Sequence, residues 1–200
     1  MNDKLKKINE CFEVFDYKTT FQYLLEMYKA EKILNKTLIL VVGANGSGKS
    51  TLIANLFSKQ GFIVNYINAD IVAKNVFAHI EDEEERNYSS MYFTMDMVDS
   101  YINEGYMFCY ETVLSHISKL DIVKKAKEKG YKIITIYLYT NSPEINLHRV
   151  KMRANQGGHD VPADKILSRY ARVVDNVEKL KKLSNEFYIF DNSNELQIVS

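Results

Sequence analysis

The residues best suited to chemistry in this chain form one contiguous stretch. Gly43, Ala44, Asn45, Gly46, Ser47, Gly48, Lys49, Ser50 and Thr51 match G-x-x-x-x-G-K-S/T in full, the pattern of a loop that wraps nucleotide phosphates. Each residue type has a reason. The glycines allow backbone conformations closed to other residues, so amide N–H groups can turn into one anion-binding hollow. A helix opening at Lys49 adds the positive end of its dipole. Lys49 is expected at the β- and γ-phosphates, and Ser50 offers a hydroxyl to Mg2+. An incidental glycine-rich turn would carry the same letters. The context argues against that, because the aliphatic run Leu38 to Val42 precedes the loop and a helical pattern follows it. No N-K-x-D-like stretch for reading guanine is present, which favours ATP over GTP.

Phosphoryl transfer also needs a carboxylate to accept the proton of the attacking hydroxyl, and another to hold Mg2+ or its water. Asp70 ends a strand predicted through Val64 to Ile67 and is the candidate base. It could instead cap a helix starting at Ile71, and the two roles are compatible. Glu111 follows an apolar strand predicted over Tyr106 to Tyr110. A charge in that place needs a partner or a ligand, so Glu111 is a candidate for Mg2+ or for substrate. Thr112 and Ser115 come next, as substrate contacts or as caps of the following helix.

Arg149 and Arg153 lie four residues apart on one predicted helix and share a face. The pattern breaks at Gly157-Gly158, and the next helix carries Arg169 and Arg172. Two helices joined by a glycine turn, with arginines on both arms, have the build of a lid over about residues 153–162. Its cations would neutralise charge developing over the phosphates. The plainer reading is a set of solvated surface arginines. His159, in the turn, is a candidate contact to phosphate or substrate. His79, His116 and His148 show no metal spacing, so no zinc is expected.

These side chains need a scaffold that gathers them. Strand patterns at Leu38 to Val42, Val64 to Ile67, Tyr106 to Tyr110, Ile133 to Tyr139 and Phe187 to Phe190 alternate with helical ones. The intervening helices include a broken one over Ile71 to Glu104 and one capped by Ser142-Pro143. Alternation of this kind implies an α/β fold, a parallel sheet covered on both faces. Right-handed crossovers then bring every strand's C-terminal end to one edge. Glu81 to Glu85 could favour a helix start, though a solvated face explains them as well. Two amphipathic helices between Leu5 and Tyr28 precede the first strand. The expected organisation is a helical extension over residues 1–36 and one domain over 37–200.

A formal net charge of zero argues against general nucleic-acid binding or a charged membrane footprint. No apolar run approaches the roughly 20 residues that cross a bilayer. Two cysteines suggest no disulfide framework and a reducing, cytoplasmic setting, with Cys109 in the core.

Five stretches occur in order: the phosphate loop, Ile67-Asn68-Ala69-Asp70, Tyr110-Glu111-Thr112-Val113-Leu114-Ser115, Gly157-Gly158-His159-Asp160-Val161-Pro162 with Arg169-Tyr170, and Tyr188-Ile189-Phe190-Asp191-Asn192-Ser193. This arrangement resembles the zeta-toxin-like P-loop kinases, over about Thr37 to Ser193. The resemblance implies five strands in order 2-3-1-4-5 with a helical lid. It also implies phosphate and Mg2+ at Lys49 and Ser50, a base at Asp70, Glu111 at the substrate, and an adenine-contacting loop at Asp191 and Asn192. The implied reaction is transfer of the ATP γ-phosphate to a small-molecule hydroxyl, with UDP-N-acetylglucosamine as the candidate acceptor. The implied protein partner is a helical antitoxin. An ATP-hydrolysing or nucleotide-switched interaction module, docking through the N-terminal helices, is the alternative. A polynucleotide 5′-kinase shares the core but suits the neutral charge less well.

Overall fold

The computed structural model describes residues 36–60, 65–157 and 161–199. The helices expected before Thr37, the strand start at Val64, and Gly158, His159 and Asp160 of the turn lie outside those residues.

Strand β1 (Thr37–Val42) is buried along its whole length. Leu38, Leu40 and Val42 enter one hydrophobic cluster, while Ile39 and Val41 enter another on the opposite face. Burial on both sides is why the run is aliphatic throughout rather than alternating. β3 (Phe108–Thr112) and β4 (Lys132–Tyr139) flank it, with β2 (Asn65–Ile67) outside β3 and β5 (Glu186–Asp191) outside β4. These five are parallel, in the expected order 2-3-1-4-5. A two-residue strand, β6 (Gln197–Ile198), joins β5 antiparallel. It was not expected, because two residues are too few to show a periodicity.

The helices are α1 (Lys49–Gln60), α2 (Ala69–Asn75), α3 (Glu83–Glu104), α4 (Lys119–Glu128), α5 (Pro143–Asn155) and α6 (Ala163–Leu183). The larger core packs Phe108, Leu38 and Leu40 against Val98 and Ile102 of α3, Val123 of α4 and Leu180 of α6. The smaller one sets Ile39 and Val41 against Leu52 and Ile53 of α1, with Tyr66 and Cys109. A third cluster, Val150, Val161 and Ile166, joins α5 to α6. No described helix is long and apolar enough to cross a membrane.

Several boundaries differ from expectation for local reasons. β2 stops at Ile67, because Asn68 accepts from the backbone N–H groups of Asp70 and Ile71 and so starts α2 there. Asp70 therefore sits in the first turn of a helix rather than at a strand end. β3 begins two residues later than expected. Gly105, at φ 82°, ends α3, and Tyr106 N–H still bonds back to the Tyr101 carbonyl. Glu111 consequently lies within β3, opposite Val41. The acidic cluster opens α3: Asp82 accepts from Glu85 N–H, and Glu83 to Glu85 form an exposed first turn, favourable to the helix dipole. The cap position of α4 is Ser118, so neither Thr112 nor Ser115 fills it.

Candidate functional site

The C-terminal edge of the sheet gathers the phosphate loop after β1, Asn68 and Asp70 after β2, Glu111 in β3, Ser142 after β4 and Asn192 after β5. The loop is gripped from its outer sides. Asn146 of α5, fully buried, donates to the Asn45 carbonyl at 2.6 Å, and its own carbonyl accepts from the Thr140 hydroxyl. Asn192 donates to the Ser47 carbonyl at 2.8 Å. Arg169 donates to Asn45 Oδ1 at 3.2 Å. Gly46 and Gly48 are left-handed, at φ 79° and 98°, a region other residues enter at a cost. A Cβ on Gly46 would meet the Asn146 carbonyl oxygen at 2.6 Å, and one on Gly48 would collide with the Asn192 amide. Thr51 is exposed in the first turn of α1.

Lys49 is buried in this cradle, and its ammonium donates to the Ala44 carbonyl at 3.0 Å. Burial pushes its pKa below the ordinary lysine value. Glu111 and Asp70 oppose that shift and Arg153 adds to it. Two carboxylates and a guanidinium thus lie within electrostatic reach of one ammonium.

The Ser50 hydroxyl donates to both oxygens of Glu111, at 3.0 and 3.1 Å. The Tyr66 hydroxyl donates to Glu111 Oε2, and Asn68 Nδ2 donates to the Tyr66 oxygen at 2.9 Å. Asp70 is exposed, as is Ser50. Beyond β3 the chain turns sharply at Leu114, fully buried and left-handed at φ 59°. Its carbonyl is held by Asn176 of α6 at 3.0 Å. Strain of this sort persists only where surroundings enforce it. Thr112 and Ser115, on either side, are half-buried.

The arginines separate by role. Arg169 reaches the loop, as above, and its guanidinium is depressed by burial and by Arg172, with Asp70 acting the other way. Arg153 is exposed but lies near enough to Lys49 to affect it. Arg172 stays on its own helix, 3.5 Å from Ser168 Oγ. Arg149, expected at the phosphates, donates instead to the carbonyls of Asn192 and Ser193 at 2.7 and 3.3 Å. It therefore ties α5 to the loop that supports Ser47. Asp191, expected beside adenine, accepts from the Ser193 amide at 2.8 Å and the Ser193 hydroxyl at 2.5 Å, with Tyr139 OH on its other oxygen at 3.2 Å. The Ser193 donors hold its carboxyl below the usual carboxylate range.

These residues fit a nucleotide triphosphate with a divalent cation. The buried ammonium, the open glycine backbone and the orphaned, fully buried Ser47 Oγ form a polar hollow. Ser50 with Glu111 offers the sparse oxygen set Mg2+ accepts, since Mg2+ keeps several waters and phosphate oxygens of its own. Tyr66, Asn146 and Asn176 were not singled out from sequence, and Asn68 entered only as a letter of the Ile67-to-Asp70 stretch, with no role given. Only burial of a polar side chain beside a functional strand marks them.

The zeta toxin family model matches residues 24–199. An uncharacterized protein of Haemophilus influenzae is 29% identical over 138 residues, covering 69% of this chain and 95% of its own. The fold is similar to the PezAT chromosomal toxin–antitoxin system of Streptococcus pneumoniae, with a TM-score of 0.62 and 17% identity, covering 90% of this chain and 80% of that one. It is also similar to the AvrRxo1-ORF1:ORF2 complex, with a TM-score of 0.67 and 18% identity. That match covers 98% of this chain, which spans 64% of the other.

Proposed function

The chain belongs to the zeta toxin family and is an ATP-dependent kinase, and on that premise we propose that it phosphorylates a small-molecule hydroxyl, with UDP-N-acetylglucosamine as the acceptor. One observation carries the reading: Lys49, the Ser50–Glu111 pair and Arg169 converge on one loop, with Asp70 in electrostatic reach of two of them. A fold neighbour, AvrRxo1-ORF1:ORF2, has been solved with ATP, which supports the same nucleotide here.

In this account the loop amides and Lys49 bind the β- and γ-phosphates. Ser50 and Glu111 would hold Mg2+, which would neutralise phosphate charge. Asp70 accepts the proton of the acceptor hydroxyl as its oxygen bonds to the γ-phosphorus. The bond from that phosphorus to the bridging oxygen breaks, and ADP carries the electron pair away. Arg169 and Arg153 balance charge on the transferring group, and closure of α5 and α6 would exclude water. Thr112 and Ser115 border the acceptor. Arg149, Asp191 and Asn192 support the loop side of the nucleotide. The toxin–antitoxin and two-protein assemblies among the fold neighbours support a protein partner for this chain too, acting as an antitoxin.

The experiment is phosphorus NMR of the protein with Mg-ATP, with and without UDP-N-acetylglucosamine. A new phosphomonoester signal that needs the sugar nucleotide, and is absent in Lys49→Ala, is expected. Free phosphate released without acceptor, again needing Lys49, would replace the transferase reading with an ATP-hydrolysing module.

A further inference from the structure

Two buried polar side chains beside the phosphate loop have no part in the roles assigned above. Tyr66 and Asn68 are each 7% exposed. The Tyr66 hydroxyl donates to Glu111 Oε2 and accepts from Asn68 Nδ2. The other end of the same amide, Asn68 Oδ1, accepts from the backbone N–H of Asp70 at 2.7 Å and of Ile71 at 3.4 Å. On its far side, Glu111 takes the Ser50 hydroxyl on both oxygens. A continuous hydrogen-bonded chain therefore runs from Ser50 through Glu111, Tyr66 and Asn68 to the backbone of Asp70.

The chemistry of the central donor matters. A lysine or arginine at position 66 would fix Glu111 equally well, but its positive charge would compete with a cation for the carboxylate. A phenol donates while remaining neutral. An ordinary phenol keeps its proton at neutral pH, with a pKa of about 10, so the donor persists. Glu111 is thus oriented without being neutralised, which is what a carboxylate must be to serve a divalent cation.

We infer that Tyr66 and Asn68 are positioning residues: they hold the Glu111 carboxylate toward Ser50 for a divalent cation and, through the same amide, fix the first turn of α2 that carries Asp70. One chain of hydrogen bonds then sets both the cation side and the proton-accepting side of the site. The inference rests on the reading of Ser50 and Glu111 as cation ligands.

The test uses the full chain and N-methylanthraniloyl-ATP, with fluorescence followed as MgCl2 is titrated from an EDTA baseline. Tyr66→Phe removes only the hydroxyl. Asn68→Ser keeps an oxygen that caps α2 but is too short to reach Tyr66. Both variants should raise the half-saturating Mg2+ concentration roughly tenfold, the lower range for partners of metal ligands. Affinity for the analogue in EDTA should stay as in the unsubstituted protein, which a merely destabilised site would not do. Either variant alone decides the matter if the other fails to fold. An unchanged Mg2+ half-saturation in the folded variants, alongside a raised one in Glu111→Gln, overturns the inference and leaves the cation reading intact. An unchanged value in Glu111→Gln itself overturns both.

Discussion

Asn192 donates its side-chain amide to the carbonyl of Ser47 at 2.8 Å, joining residues 145 positions apart. The bond fastens the underside of the phosphate loop to the segment after β5, and Arg149 in turn holds the Asn192 carbonyl from α5. The loop's shape thus depends on a side chain outside its own motif. Asn192→Ala should leave the Ser47 carbonyl unpaired and cost about 1–2 kcal/mol of stability. ATP affinity should fall by roughly tenfold, as a loose loop pays ordering entropy on binding. Thermal unfolding and calorimetric titration with ATP would check both.

Gly46 is constrained twice, by a left-handed backbone at φ 79° and by the Asn146 carbonyl 2.6 Å from where a Cβ would stand. Backbone cannot step aside cheaply, so Gly46→Ala should abolish detectable ATP binding while most of the sheet survives. Circular dichroism beside an ATP titration distinguishes that outcome from unfolding.

Arg169 and Arg172 share α6, yet only Arg169 bonds to the loop, at Asn45. Arg169→Ala should lower the maximal transfer rate by about 10²-fold or more, the scale of one lost transition-state donor. Arg172→Ala should stay within about threefold of the unsubstituted rate, since it removes no such donor. Steady-state kinetics of the pair tests the assignment.

Burial sets the Lys49 pKa below its usual value, and bound phosphates favour the charged form, raising it again. Binding of ATP therefore takes up protons where the free-state Lys49 is partly neutral. Affinity is full below the free-state pKa and declines as pH rises through it, at lower pH than the roughly 10.4 of an ordinary lysine. The same shift makes folding stability rise with pH between those two values, because the unfolded chain there holds more protons. ATP affinity measured from neutral to alkaline pH should show the early decline, and Lys49→Arg should remove it.

The phosphate loop was legible because its chemistry is contiguous and its glycines answer a backbone requirement visible in nine consecutive residues. The five parallel strands were legible from apolar runs, and their order from family resemblance. What was hidden is long-range. Asn146 grips Asn45 from 101 residues away, and Asn176 holds Leu114 from 62. Neither spacing has a sequence signature. Arg149 read as a lid cation because nothing in the sequence shows that a helix-α5 arginine reaches the backbone carbonyls of Asn192 and Ser193, 43 and 44 residues away. Asp70 read as the end of a strand or as the cap of a helix from Ile71, because Asn68 and Asp70 are both capping residue types and the letters do not say which of them opens the helix.

Under the proposed function, a nucleotide held at Lys49 gives its terminal phosphate to a hydroxyl that Asp70 deprotonates. The decisive measurement is single-turnover transfer of labelled γ-phosphate to UDP-N-acetylglucosamine by the unsubstituted protein and by Asp70→Asn, beside their ATP affinities. The variant's rate should be lower by about 10²–10⁴-fold, the usual worth of a general base, with ATP affinity unchanged. Transfer at the unsubstituted rate in Asp70→Asn would remove Asp70 as the base.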